Sequence, residues 1–225
     1  MCIRDSRGLV VRESAGIKSL KDLEGKTFIG KRRPLPELEL IMKALMKAGG
    51  VDASKVKIVA TTNTGQALKN LKVGSVHGAI LPYGPKAGNI QKAFTEGSFV
   101  FLNYPQETAK AALKHLPKLI TTDVQQKNWF EGLKESTPVF AMSSTFITRP
   151  NLSADTVYNV VKAVLENNEL FKTYHHQAVD WTLKNTLRNF QLPFHEGAIR
   201  YFKEKGAWTA KHAEHQQKLI AVAAK

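Results

Sequence analysis

Cysteine is all but missing from this chain: Cys2 is the single one among 225 residues. An internal disulfide is therefore impossible, and no thiol set is spaced to hold zinc. Long apolar runs are missing too. None approaches the roughly 20 residues needed to cross a bilayer, and the N-terminus lacks the charged, apolar and small-residue order of a secretory signal. Glycine-rich phosphate loops and serine elbows are absent, which removes the commonest nucleotide-binding and hydrolase signatures. Acidic residues are scarce, with 19 Asp and Glu against 33 Lys and Arg and a formal net charge of +14. That excess admits a nucleic-acid partner, but the basic residues are scattered over the predicted helices and only Lys31-Arg32-Arg33 is tightly clustered. With no aromatic-basic strand motif beside them, the reading is a solvated basic surface that attracts anionic solutes or surfaces, with no nucleic acid as partner.

What is present is an ordinary globular composition, 43% hydrophobic and 23% charged. Gly8-Leu9-Val10-Val11-Arg12 and Thr27-Phe28-Ile29-Gly30 are short apolar runs suited to buried strands. Pro36 suits the first position of a helix whose Leu38, Ile41, Met42, Leu45 and Met46 recur at i, i+3 and i+4, and Gly49-Gly50 stops it. The alternation continues with strand 56–60, helix 65–73, strand 78–81, helix 85–95 and strand 99–102. Strands separated by helices imply a largely parallel sheet covered on both faces, so 19–138 reads as one α/β lobe.

From Pro138 the pattern changes. Val139-Phe140-Ala141-Met142 and Thr145-Phe146-Ile147-Thr148 read as one long strand-like segment, followed only by helices. Ser153 caps an amphipathic helix carrying Val157, Val160, Val161 and Val164. Leu192 to Gly206 reads as a packing helix, with Ala198, Ile199, Phe202 and Tyr201 toward a core and Gly206 as its stop. Tyr174-His175-His176, His212 and His215 are surface or packing groups rather than metal ligands.

Three landmarks, Ile17 to Lys26, Gly78 to Pro85 and Asn151 to Tyr158, stand in order with the His195-Glu196-Gly197-Ala198 turn. Together they resemble the TAXI family, the substrate-binding subunits of TRAP transporters, over about 8–208. The resemblance implies a type II periplasmic-binding-protein-like fold of the α/β class with two lobes, one of them incomplete. In that layout 1–6 is a non-native scar, 7–18 is the crossover into the first lobe, and 139–225 is the return strand with the helices of the discontinuous other lobe. The N-terminal βαβ portion is then expected to be absent, leaving apolar surface exposed along 139–147 or on the covering helices. The hinge is expected at Val11 and Arg12 and at Met142, Ser143 and Ser144.

Ligands of open α/β sheets bind at the carboxyl ends of strands. The first loop there, Gly30 to Pro36, carries Arg32 and Arg33 where the TAXI family usually has a Gly-Ser-Gly-Thr-like run. Pro34 and Pro36 remove amide donors, and forked guanidinium groups pair with carboxylates. The second is Tyr83-Gly84-Pro85, with an aromatic face and hydroxyl, a permissive glycine and a helix-entry proline. The third is Thr61 to Gly65, where Asn63 or Thr64 caps a helix and the Thr62 and Thr64 hydroxyls face the cleft. The expected function is an extracytoplasmic, periplasmic receptor that closes on a small organic anion, glutamate-like or dicarboxylate, and presents it to TRAP membrane subunits. An ABC-transporter receptor or the effector domain of a transcription regulator shares the layout and stays open. No acid and base pair near these loops, so neither an enzyme nor a cofactor is expected.

Overall fold

The computed structural model describes residues 2–84, 87–96, 99–131, 133, 135–188 and 190–223. The chain divides into two compact units, Asp5–Met142 and a second made of Met1–Arg4 with Ser143–Lys225. Among the described residues a seven-stranded sheet runs in the order β3-β2-β4-β1-β7-β6, with β5 also against β1. These strands are β1 (Cys2–Arg12), β2 (Thr27–Lys31), β3 (Lys57–Ala60), β4 (Gly78–Tyr83), β5 (Phe99–Phe101), β6 (Thr121–Gln125) and β7 (Thr137–Thr145). Helices α1 (Glu37–Ala48), α2 (Thr64–Lys72), α3 (Gly88–Thr95) and α4 (Gln106–Ala112) cover the sheet of the larger unit.

The period of two along each strand sorts its side chains between two layers. Leu9, Val11, Phe28 and Ile80 enter one core with the apolar stripe of α1 and with Ala109 and Ala112 of α4. Val10, Ile29, Ala79 and Leu81 enter the other, against Ala67 and Leu71 of α2 and Ile90 and Ala93 of α3. Because both faces are buried, the strands read as unbroken apolar runs rather than as alternating ones. The mixed α/β class stands, but the sheet is less parallel than expected. β2, β3 and β4 are parallel, whereas β1 lies antiparallel to both β4 and β5. β1 precedes the strand–helix repeat, and the chain turns back after it through Gly16 at φ 66, so no crossover helix forces it parallel.

Val11 and Arg12, expected at the hinge, lie within the sheet. Val11 is fully buried and pairs with Gly78 on one side and Val100 on the other. Arg12 pairs with Phe99 and donates its amide to the His77 carbonyl. Rotation about a single bond there would break ladder bonds on both edges of a central strand. Met142, Ser143 and Ser144 lie in β7, where the division between the two units falls. β7 stops at Thr145, short of the strand expected to reach Thr148, and Phe146 and Ile147 are exposed at 71% and 77%.

The second unit is helical: α5 (Ala154–Glu166), α6 (Asn168–Tyr174), α7 (Leu183–Leu187), α8 (Glu196–Glu204) and α9 (Ala210–Ala223). Ser153 caps α5 by accepting from the Thr156 amide. Val157, Leu187, Ala198, Tyr201 and Phe202 form its core. His195 opens α8 by accepting from the Gly197 amide at Nδ1, and its Nε2 donates to the Pro150 carbonyl. Gln216 on α9 holds the Phe194 backbone at two points, amide to Oε1 and carbonyl from Nε2, both 2.8 Å.

Gly197 sets how closely α8 approaches α5, because an added Cβ would lie 2.1 Å from the Ala154 carbonyl oxygen. Gly197→Ala therefore lowers stability by about 2–3 kcal/mol through forced separation of two backbones. Gly88→Ala, which meets nothing within 4 Å, leaves it unchanged or higher. Urea unfolding of both variants, followed by aromatic circular dichroism, measures the contrast.

Candidate functional site

The carboxyl ends of β2, β3 and β4 bring together two of the residues singled out in the sequence. Gly30 interrupts the β2–β3 register between Ile29 and Lys31, and any Cβ there would lie 2.9 Å from Ile58 Cγ2. A register shift of this kind turns the following side chains out of the regular alternation. Arg32 then enters a tight turn closed by the Leu35 amide on its carbonyl at 2.9 Å. Its Nη1 donates to Thr64 Oγ1 at 3.3 Å, and its Nε is buried without a partner.

Thr64 begins α2. Asn63 is the cap, as anticipated for Asn63 or Thr64, and its Oδ1 accepts from the Gln66 amide at 2.8 Å. The first amides of a helix have no intrahelical acceptor and carry partial positive charge. A guanidinium, a hydroxyl and the opening turn of a helix thus come together at a sheet end, a set rich in donors and without a carboxylate, in which Asn63 Oδ1 already takes the Gln66 amide. Donors of these kinds have the chemistry to bind an oxyanion.

The other expected residues are placed differently. Arg33 and Thr62 are exposed, the latter receiving a bond from Asn63 Nδ2 at 3.3 Å. Tyr83 belongs to β4 and is buried, its ring packed against Phe101 at 5.2 Å and Phe130 at 5.8 Å. Its hydroxyl has no partner and sits over Gly8, where an added Cβ would be 2.4 Å away. Burial pushes the phenol well above its ordinary range, and Tyr104 beside it adds to the rise. Tyr83 is a core side chain here, because the strand runs past the expected turn and its alternation points the ring into the aromatic layer. Gly84 is buried and its carbonyl accepts from Ala87. Helix α3 starts at Gly88 instead of 85, and Pro85 lies outside the described residues.

Sequence reasoning missed an ion pair beside this site. Arg7 on β1 donates from Nε and Nη2 to Glu37 Oε1, at 3.1 and 2.9 Å, and from Nη1 to the Ser6 carbonyl. Both side chains are buried. An arginine at the head of an apolar strand and a glutamate in the first turn of the next long helix were the available signals. The remaining acid near the loop, Glu39, is held below its usual range by hydrogen bonds and charge from Lys43 and Lys31. Among the described residues no group of three or more His, Cys, Asp or Glu could hold a metal ion. His215 Nε2 donates to the Phe190 carbonyl, and His212 Nδ1 accepts from the Thr209 amide.

The NMT1-like family matches residues 2–206 of this chain. Among solved structures the chain is similar to the periplasmic aliphatic sulphonate binding protein SsuA from Escherichia coli, at 14% identity and TM-score 0.45 over 96% of this chain and 59% of that one. It is similar also to the alkanesulfonate-binding protein SsuA from Xanthomonas axonopodis pv. citri bound to MOPS, at 12% and 0.43 over 96% and 63%. A third is Tv2483 bound to L-arginine, at 13% and 0.42 over 80% and 56%. The chain spans less than two thirds of the length of each of these proteins.

Tyr83→Phe deletes a buried hydroxyl that has no partner, so it raises unfolding stability by about 1 kcal/mol and leaves solute affinity unchanged. Parallel denaturation and titration calorimetry read both. A drop in affinity at unchanged stability would return Tyr83 to the ligand set.

Proposed function

The chain belongs to the NMT1-like family, and from that premise we propose that it acts as an extracytoplasmic solute receptor that hands a small organic anion to the membrane subunits of a transporter. The observation that carries the reading is the Arg32–Thr64 contact at the end of the parallel strands. A carboxylate or another oxyanion accepts from the Arg32 guanidinium, from the Thr64 hydroxyl and from the first amides of α2, ahead of the Gln66 amide that Asn63 caps. Arginine suits this role because its fork matches two oxygens at once and its charge persists at every physiological pH. Arg33 and Thr62, at the rim, contribute field and hydration more than contact.

Between the two transporter classes, the ABC type takes precedence over the TRAP type. Two observations support that choice: the family match is NMT1-like, and Arg32 and Arg33 stand where the TAXI family has its small-residue cradle. Capture proceeds by hinge closure, with Met142, Ser143 and Ser144 as the pivot because the division between the two units falls there. The solute makes more contacts in the closed state, and that difference in affinity drives the population shift.

A thermal-shift screen at low ionic strength against amino acids, dicarboxylates and alkanesulfonates, followed by calorimetry on the best solute, tests this. Arg32→Ala weakens binding roughly 10- to 100-fold, as expected for a charged hydrogen bond, whereas Arg33→Ala changes it by less than about threefold. Unchanged affinity in Arg32→Ala would remove the site, and no stabilisation by any anion would remove the function.

A further inference from the structure

Independently of the solute, we propose that the outer face of the α1–α4 layer docks on an anionic lipid surface. The two helices pack side by side on one face of the sheet. Their outward side chains are Lys43 and Lys47 on α1, then Lys110 on α4, Lys114 in the short turn that continues it, and Lys118 in the loop beyond Pro117. All five are exposed. Glu39 and Glu107 are the acids of the two helices' outer side, and Glu39 is already shared by Lys43 and Lys31. Lys47, Lys110, Lys114 and Lys118 make no ion pair among the described residues. From 108 to 122 the sequence contains no acid at all.

The opposite helical layer is different in kind. There Lys72 and Lys92 both reach Glu96, at 2.7 and 3.9 Å, so its cations are partly spent within the protein.

Two further features select a lipid surface over an acidic protein. Leu40 on α1 and Leu119 next to Lys118 stand exposed at 46% each, which pairs apolar side chains with free ammonium groups. That combination suits a headgroup boundary, where leucine enters the acyl edge and lysine stems extend to phosphate. The lysines at 110, 114 and 118 also follow one another at four-residue steps of sequence, from α4 through the turn Leu113–His115 to the loop beyond Pro117, a loose row of point charges that no one helix face aligns. Such a row asks only for a field of negative charge, not for carboxylates at fixed positions.

Vesicle flotation of the whole chain on phosphatidylcholine with or without phosphatidylglycerol tests the proposal. Binding is expected only with the anionic lipid and weakens with salt. The triple variant Lys110→Gln, Lys114→Gln, Lys118→Gln loses about 100-fold in partition coefficient, while Lys69→Gln, Lys72→Gln, Lys92→Gln, which removes the same charge elsewhere, loses less than about fivefold. Equal losses in the two variants overturn the proposal, because the total charge then does the binding. Failure of the unaltered chain to float on anionic vesicles overturns it as well. Circular dichroism of each variant confirms that the folded chain is what is compared.

Discussion

The buried pair between Arg7 and Glu37 governs how charge is distributed at the end of the sheet. Both nitrogens that face Glu37 reach the same oxygen, and both residues are almost fully enclosed. Removing one partner of such a pair leaves a desolvated charge and costs about 3–5 kcal/mol. The pair therefore pins the first turn of α1 to β1 and fixes where the loop before it leaves the sheet. Glu37 is consumed by Arg7, and Glu39 by Lys31 and Lys43. The acids closest in sequence are occupied, and Arg32 donates instead to the Thr64 hydroxyl.

Backbone proximity does comparable work at three other places. Gly8 leaves the space into which the Tyr83 ring extends, Gly30 makes room for Ile58 while shifting the register ahead of Arg32, and Gly197 lets α8 cross α5 at backbone contact. None of these needs a left-handed backbone. Each is a matter of volume, in which one methyl group would have nowhere to go. The local sequence around His195 follows from this: the histidine caps α8, bonds back to the chain before α5, and the glycine two positions on permits the approach.

Much of this architecture was legible in residue patterns. The α1 stripe and its Gly49-Gly50 stop, the Asn63 and Ser153 caps and the apolar strands all follow local rules that tertiary packing did not override. The direction of β1 was not legible, because an apolar run carries no information on whether its neighbours are parallel. Nor was the depth of Tyr83: the step from strand to turn was placed before it, and an aromatic beside glycine and proline resembles a binding loop when its alternation is not counted. The central position of Val11 and Arg12 was hidden for a related reason, since only pairing on both edges reveals a strand as central. Arg7 escaped notice because a charged residue beside an apolar run reads as a solvated end until its partner on another element is known.

The proposed function rests on Arg32 as the cation that would hold a solute's anionic group. The most direct measurement compares one acid with its neutral amide, titrated into the parent chain and into Arg32→Ala. The parent should prefer the acid by at least about tenfold, and the variant should bind both with nearly equal affinity. A preference for the acid that survives intact in Arg32→Ala would contradict the account.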